Sequence, residues 1–155
     1  MNRFRVCYKV NATLQAVAEF HCQPQALRKL TPRPLFLQLH RADPLAENSI
    51  VEFTLWHGLF PVRWKALHTD VDVNSGFTDT QLHGPLLYWQ HTHSYCALNQ
   101  TSVMVCETVD YQHRPGLRYF WTRLAYSQFS LWILFIYRRI IIRRETRRLM
   151  HRKSD

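Results

Sequence analysis

Residues 77–95 read FTDTQLHGPLLYWQHTHSY, which is two alternating runs on either side of a Gly-Pro turn. Successive side chains of a strand point to opposite faces of the sheet, so alternate residues share a face. One face of each run therefore combines polar and aromatic groups: Phe77, Asp79 and Gln81 in the first run, and Trp89, His91, His93 and Tyr95 in the second. Such a mixture is typical neither of a plain core nor of a plain solvent surface. The pattern predicts the lining of a pocket.

The rest of the chain continues this alternation around two helical stretches. Strands are predicted at 3–10, 35–42, 48–57, 60–73, 76–82, 86–98 and 101–112. After the first strand, Thr13 and Pro24 each start a short helix. Residues 117 to about 148 return to helical spacing, with one apolar stripe at Leu117, Phe120, Leu124, Leu131, Phe135 and Ile142. Antiparallel strands with segregated helices indicate an α+β domain, in which a curved seven-stranded antiparallel sheet wraps around the long C-terminal helix.

The net charge of +9 is concentrated at the C-terminal end of the chain. Residues 138–155 hold eight basic and two acidic residues, which is +6 and leaves +3 for residues 1–137. A nucleic-acid surface spread over the fold is therefore not expected. We predict a single domain over residues 1–150 with a basic helical extension over 138–155. A helix that starts at residue 117 is roughly 50 Å long, against about 33 Å for a ten-residue strand, so its last turns should project beyond the sheet.

The cysteines suggest a compartment. Cys7, Cys22, Cys96 and Cys106 show neither CxxC nor zinc-like spacing. The N-terminal residues alternate between polar and apolar and lack the uninterrupted apolar region of a signal peptide. We therefore expect reduced thiols and a cytoplasmic protein, either free or peripheral to the inner face of the membrane.

Short motifs are spread over nearly the whole chain, up to about residue 142. They are Leu30-Thr31-Pro32, Arg63-Trp64, Phe77-x-Asp79-x-Gln81, Gly84-Pro85, Trp89-x-His91-x-His93-x-Tyr95, Glu107-x-Val109-x-Tyr111, Pro115-Gly116 and Phe135-x-Tyr137-Arg138. Together they resemble the SRPBCC superfamily of START lipid-transfer domains, birch-pollen-allergen-like proteins and aromatic polyketide cyclases. The closest resemblance is to its small bacterial cyclase/dehydrase-like ligand-binding branch. This resemblance implies a helix-grip fold with a hydrophobic cavity between sheet and C-terminal helix, but superfamily membership alone does not give a function.

The candidate ligand-binding residues follow from the pocket faces and the motifs. They are Trp64, His68, Phe77, Asp79, Gln81, Trp89, His91, His93, Glu107 and Tyr111. We expect them to bind a hydrophobic or amphipathic small molecule, lipid-like or polyketide-like. The apolar lining would supply the affinity and the polar side chains would hold the polar end of the ligand. The alternative for each aromatic side chain is that it fills the core.

The two histidines of the second run admit further interpretations. His91 and His93 lie about 6.6 Å apart along one strand face, and an antiparallel neighbour would bring Glu107 beside them, which is a donor set for a metal. A hydrogen-bond network with Asp79 and Gln81 explains the same pattern, so we expect no metal and no cofactor. The cluster could also perform acid–base chemistry of the aromatase/cyclase or dehydratase type. The sequence shows no nucleophile elbow, phosphate loop or catalytic triad signature, so no catalytic residue is assigned and enzymatic activity stays open.

The last helix is more apolar than contact with one sheet requires. Residues 129–137 are apolar on all sides, and Trp132, Ile133, Ile136 and Ile140 need a second contact. The short helices, a second copy of the chain in a homodimer, and a lipid surface are the alternatives. The stretch is too short to span a membrane. Its basic extension could contact anionic lipid headgroups, as in a membrane-associated accessory protein, or RNA or an acidic partner. The alternative is a solvated helix end that its own macrodipole favours.

Overall fold

Seven strands run through residues 1–152, the part of the chain that the computed structural model describes. They are β1 (Asn2–Val10), β2 (Phe36–Ala42), β3 (Ile50–His57), β4 (Phe60–Asp72), β5 (Gly76–His83), β6 (Tyr88–Asn99) and β7 (Ser102–Gln112). All neighbouring strands pair antiparallel, in the order β1-β7-β6-β5-β4-β3-β2. The predicted seven-stranded antiparallel sheet is confirmed.

The helices follow the predicted order. α1 (Leu14–Cys22) and α2 (Ala26–Lys29) come after the first strand, and a 3₁₀ turn (Leu117–Tyr119), α3 (Phe120–Ala125) and α4 (Gln128–Arg152) come after the last. Thr13 caps α1 as expected, because its Oγ1 accepts a hydrogen bond from the backbone N–H of Ala16 at 3.2 Å. The element order and the sheet make this the α+β helix-grip fold that the sequence predicted.

The expectation of one continuous helix from residue 117 is wrong. The backbone leaves helical geometry at Tyr126 (φ −118°, ψ 35°). α4 then starts anew, with the Ser127 hydroxyl accepting from the backbone N–H of Ser130 at 3.1 Å. The predicted apolar stripe is divided at this break. Leu131, Phe135 and Ile142 are buried, whereas Leu117, Phe120 and Leu124 are exposed.

α4 closes the core against one face of the sheet. Phe135 stacks on Phe4 of β1 with ring centroids 5.2 Å apart. Ile142 packs farther along the helix with Val10 and with Phe20 of α1. Between these two contact regions the helix passes over the strands that carry the predicted pocket residues.

The expectation of four reduced thiols is wrong for one pair. Cys7 of β1 lies directly opposite Cys106 of β7, with Cα atoms 4.1 Å apart, and the two form a disulfide. Cys22 and Cys96 are free and exposed. Cysteine usage therefore no longer argues for the cytoplasm.

The end of α4 packs on the short helices instead of projecting freely. Glu145 forms an ion pair with Lys29 of α2 at 2.6 Å, and Leu149 packs on the core cluster that contains Phe20. Lys153 and Asp155 of the predicted basic extension lie outside the described residues. None of the helices within residues 1–152 is both long enough and apolar enough to span a bilayer.

Candidate functional site

A cavity of about 210 Å³ lies between the sheet, the short helices and α4. Most of its wall is apolar, with contributions from Leu30, Leu35, Leu37, Val51, Phe53, Leu55, Ala66 and Leu134. Its polar wall residues include His21, Asp43, Tyr126 and Arg138. The combination of apolar walls and a few polar side chains is typical of a small-molecule site.

Seven of the ten predicted site residues line this cavity: Trp64, His68, Phe77, Asp79, Trp89, His91 and His93. The other three lie around it. Glu107 is buried beside the two imidazoles. The Gln81 amide donates to the Leu86 carbonyl at 2.9 Å, which secures the Gly-Pro turn. Tyr111 is buried next to Trp89, with ring centroids 6.3 Å apart.

The strand register brings the polar cluster together. Asp79 of β5 is directly opposite His91 of β6, and His93 of β6 is directly opposite Glu107 of β7. Gly76 makes the close approach of β5 to β6 possible, because a Cβ atom there would overlap the backbone carbonyl of His93. Period-two alternation on three adjacent strands thus produces one polar group on the inner face.

Glu107 connects the two imidazoles. Its Oε2 lies 2.8 Å from His91 Nε2 and 2.9 Å from His93 Nδ1. The first contact has hydrogen-bond geometry, and the second is close without meeting it. The Tyr8 hydroxyl donates to the other carboxylate oxygen at 3.4 Å.

Asp79 contacts the opposite side of both rings. Its Oδ2 lies 3.3 Å from His93 Nε2 and 3.4 Å from His91 Nδ1. Each imidazole therefore has one nitrogen facing Glu107 and the other facing Asp79. For His93 this arrangement favours the protonated ring, because both ring nitrogens of a histidine donate only in the cationic form.

The electrostatics of the cluster follow from this geometry. Burial disfavours the charged form of Glu107, but His93 and His91 outweigh burial and hold the pKa of its carboxyl well below the usual range. Burial also disfavours the charged form of Asp79, but hydrogen bonds from the two imidazoles outweigh it and lower the pKa of the Asp79 carboxyl. Burial also disfavours the His93 cation, but Glu107 and Asp79 outweigh it and raise the pKa of His93 to about 9. At neutral pH both carboxylates are therefore ionised and His93 is protonated.

His21 of α1 was missed by the sequence analysis. Its ring lies 5.6 Å from the His93 ring, centroid to centroid, and lines the cavity. Burial lowers the pKa of His21 to about 4, and His93 contributes in the same direction. Its Nδ1 lies 2.8 Å from the Val17 carbonyl, which can only accept, so Nδ1 carries the proton and Nε2 is an acceptor. That Nε2 is buried and has no hydrogen-bond partner within residues 1–152.

Arg138 and Tyr126 were likewise not predicted as site residues. Arg138 lines the cavity, and its Nε is buried without a hydrogen-bond partner in the described part of the chain. Burial lowers the pKa of Arg138, while Glu107 and Asp79 act in the opposite direction. The Tyr126 hydroxyl is also buried, lines the cavity and lacks a partner among the described side chains and backbone. In the sequence, only the Phe135-x-Tyr137-Arg138 motif pointed to Arg138, because it places a cation directly after the apolar stretch 129–137.

Two groups of side chains have the donor atoms of a metal site. His21, His93 and Glu107 form one and Asp79, His91 and His93 the other, with the ligand atoms of each within 4.8 Å of one another. Contacts between imidazole and carboxylate already account for most of these atoms, so hydrogen bonding explains the geometry without a metal.

Comparisons with known proteins identify the fold. Neither a protein-family model nor a curated protein sequence matches the chain. Protein CV1439 from Chromobacterium violaceum has a TM-score of 0.74 at 11% identity, over 92% of this chain and 96% of that one. Norcoclaurine synthase from Thalictrum flavum has a TM-score of 0.69 at 15% identity, over 99% of this chain and 89% of that one. Zhui aromatase/cyclase from Streptomyces sp. R1128 has a TM-score of 0.67 at 11% identity, over 99% of this chain and 96% of that one. At these identities the likeness shows the fold alone, and that fold is the helix-grip fold that the sequence predicted.

Proposed function

We propose that this protein binds a small hydrophobic or amphipathic molecule in the cavity between the sheet and α4. One observation carries the proposal: within a largely apolar wall, the lining side chains of His21, Tyr126 and Arg138 each hold a buried polar atom that has no hydrogen-bond partner among the described residues. A buried polar atom without a partner costs about 1–3 kcal/mol. A ligand whose polar end meets these atoms recovers that cost.

The polar atoms define what such a ligand offers. Arg138 Nε and the Tyr126 hydroxyl are donors without acceptors, and His21 Nε2 is an acceptor without a donor among the described residues. A hydroxyl group, which both donates and accepts, satisfies both kinds of atom, and a carbonyl group can accept from the two donors. The aromatic side chains of Trp64, Trp89 and Phe77 then contact its apolar part.

The volume limits the size of the ligand. Drug-sized ligands occupy pockets of about 300–1,000 Å³, and the cavity here is about 210 Å³. This favours a small ring system or a single short chain over a two-chain lipid. Norcoclaurine synthase, which has a similar fold, holds dopamine and hydroxybenzaldehyde in its crystal structure. Small aromatic compounds with hydroxyl or carbonyl groups are therefore the first ligands to test.

Binding of a fluorescent probe tests the proposal. Nile red should fluoresce in the wild-type cavity, and Ala66→Phe should abolish the signal, because Ala66 is a buried wall residue. Ala97→Phe is the matched control, since Ala97 is exposed near the end of β6 and away from the wall. Equal Nile red binding by wild type and Ala66→Phe contradicts the proposal, and so does a wild type that binds neither Nile red nor the smaller two-ring probe 2-naphthol. If the wild type binds the probe, native mass spectrometry of the purified protein can identify a co-purified ligand.

A second candidate function is acid–base catalysis of the dehydratase or cyclase type. The observation that favours it is the contrast between His21 and His93, which face one cavity 5.6 Å apart, one neutral and one protonated at neutral pH. Neighbouring titratable groups whose pKa values are pushed apart suit the roles of base and acid. A small β-hydroxy ketone is a suitable substrate probe, because its dehydration removes a proton and protonates a leaving hydroxyl. Turnover that His21→Ala abolishes, with Nile red binding retained, supports catalysis; no turnover by the wild type leaves binding alone.

A further inference from the structure

One side of α4 carries large apolar residues that nothing in the described structure covers. They are Phe129, Trp132, Ile133, Ile136 and Ile140, and their exposed fractions lie between 40% and 68%. Their spacing of three and four places them in one row along the helix. We call this row the apolar flank.

The flank is the side of α4 that remains after its two packed sides are assigned. Leu131, Phe135 and Ile142 face the sheet and are buried. The Tyr137 hydroxyl donates to the Lys29 carbonyl at 3.1 Å, so a second side faces α2. The flank is on the third side, next to Gln128 and Arg143, which donate to backbone carbonyls of the edge strand β1 at 2.8 and 2.7 Å.

The segment before α4 carries three more exposed apolar residues. Leu117, Phe120 and Leu124 follow one another at three and four residues and are 93%, 66% and 76% exposed. The Ser130 hydroxyl donates to the Leu124 carbonyl at 2.7 Å, which holds the end of α3 against the start of α4. Eight large apolar residues thus lie outside the core within one stretch of chain. Large apolar side chains exposed in such number mark an interaction site.

Basic residues surround this surface and acidic residues are missing from it. Residues 111–147 contain eight arginines and one acidic residue, Glu145, which forms an ion pair with Lys29 on the side of α4 that faces α2. One of the eight, Arg138, lines the internal cavity instead. Arg118 and Arg123 lie exposed among the residues of the 3₁₀ turn and α3. Arg144 and Arg147 are exposed and continue the row of the flank toward the end of α4. The surface is therefore apolar in its first half and cationic in its second.

The positive charge around this surface distinguishes two possible partners, a second copy of the chain and an anionic membrane. In a two-fold symmetric dimer the same patch meets itself, which would bring the arginine rims of both copies together. Like charges at an interface oppose association. An anionic bilayer instead offers headgroups to the arginines and acyl chains to the apolar residues, as for helices that lie in the membrane interface.

We infer that the flank and the preceding residues Leu117, Phe120 and Leu124 form a docking surface for an anionic membrane. α4 lies parallel to the bilayer plane, with Trp132 and Ile136 at the level of the acyl chains and Arg144 and Arg147 at the phosphates. The sequence-based expectation named a lipid surface as one alternative contact for Trp132, Ile133, Ile136 and Ile140, and the structure adds Phe129 and the exposed residues before α4. It is independent of what the internal cavity binds.

Co-sedimentation with vesicles tests the inference. We expect binding to vesicles of phosphatidylcholine with phosphatidylglycerol and none to phosphatidylcholine alone. Near 1 M salt the Debye length falls to about 3 Å, so the bound fraction should drop sharply. Trp132→Ser with Ile136→Ser, and separately Arg144→Glu with Arg147→Glu, should each weaken binding by about tenfold or more.

Matched variants keep the test specific. Leu98→Ser replaces an exposed apolar residue at the end of β6, and Arg28→Glu with Arg33→Glu reverses two exposed charges near α2. Neither should change vesicle binding, and all variants should retain Nile red fluorescence and the wild-type melting temperature. Binding that ignores lipid charge, or that the controls weaken as much as the flank variants, overturns the inference. A dimer in gel filtration that Trp132→Ser dissociates, without vesicle binding, assigns the surface to a second copy instead.

Discussion

The imidazole rings of His91 and His93 lie 4.0 Å apart, centroid to centroid, between the same two carboxylates. Two imidazoles and two carboxylates in one buried group can share protons in more than one way. The arrangement is stable only if the carboxylates stay ionised, because each is needed to offset the cost of a buried cation. The polar wall of the cavity is therefore a charge-dependent structure, and its pH response can be predicted.

Removal of the Glu107 charge should release the proton of His93. In Glu107→Gln we expect the pKa of His93 to fall from about 9 toward the ordinary range, because Glu107 is the largest cause that raises it. Loss of one partner from a buried ion pair typically costs about 3–5 kcal/mol of stability. NMR titration of the histidine ring signals measures the first effect and urea unfolding the second. Glu52→Gln, which removes an exposed partner of Lys65 at 2.8 Å, is the control and should change neither.

The wild-type protein should lose stability above neutral pH. The folded pKa of His93, about 9, exceeds the ordinary value, so its contribution is fully present below about pH 6.5 and is lost as pH rises through 9. The loss between pH 6 and 9 should be on the order of 3 kcal/mol. Urea midpoints across this range provide the measurement, with His93→Gln as reference. A wild-type curve as flat as that of His93→Gln would show that His93 is not protonated in the folded state.

His21 should produce an opposite dependence on the acid side. Its folded pKa of about 4 lies below the ordinary value, so stability is present above about pH 6.5 and is lost as pH falls toward 4. At pH 5 the penalty should be about 2 kcal/mol relative to pH 8. In His21→Leu the fall in stability from pH 8 to pH 5 should be smaller than in the wild type by this amount. The comparison uses the difference between the two pH values, so any loss of packing in the variant cancels.

The β-strand part of the site could be predicted from the sequence because its information is local. Alternation places Asp79, His91, His93 and Glu107 on inner faces, and short turns make their strands neighbours. A pattern with a period of two leaves little freedom once the pairing is known. The four residues therefore meet as the sequence analysis anticipated.

The helical part could not be predicted in the same way. His21 sits on a short helix whose position over the sheet depends on tertiary packing, and its spacing alone is also that of an ordinary helix face. The helix break at Tyr126 and Ser127 contains no proline or glycine. The apolar periodicity therefore continued across it and predicted one uninterrupted helix. That single break exposes Leu117, Phe120 and Leu124 instead of burying them. The disulfide was missed because Cys7 and Cys106 are 99 residues apart in sequence and become neighbours only through the β1–β7 pairing.

Gly76 should be the glycine that the site cannot lose. Its φ of 134° is a conformation that side-chain-bearing residues rarely adopt, and a Cβ atom would overlap the carbonyl of His93. Gly58 is a close control, because its φ of 64° is also positive but no atom lies within 4 Å of the added Cβ. We expect Gly58→Ala to cost about 1–2 kcal/mol from backbone strain alone. Gly76→Ala should cost clearly more, because β5 must also move away from β6.

The two glycine variants should differ in the site as well as in stability. A shift of β5 separates Asp79 from His91 and His93, so Gly76→Ala should lower the pKa of His93 and weaken Nile red binding, whereas Gly58→Ala should leave both unchanged. Urea unfolding, histidine NMR and dye titration on the same samples make the comparison. Equal losses of stability in the two variants would mean that β5 tolerates a side chain at residue 76, and that the register of β5 and β6 does not depend on this glycine. A larger loss in Gly76→Ala, together with an altered His93 titration, ties the polar wall of the cavity to the close approach of two backbones at one residue.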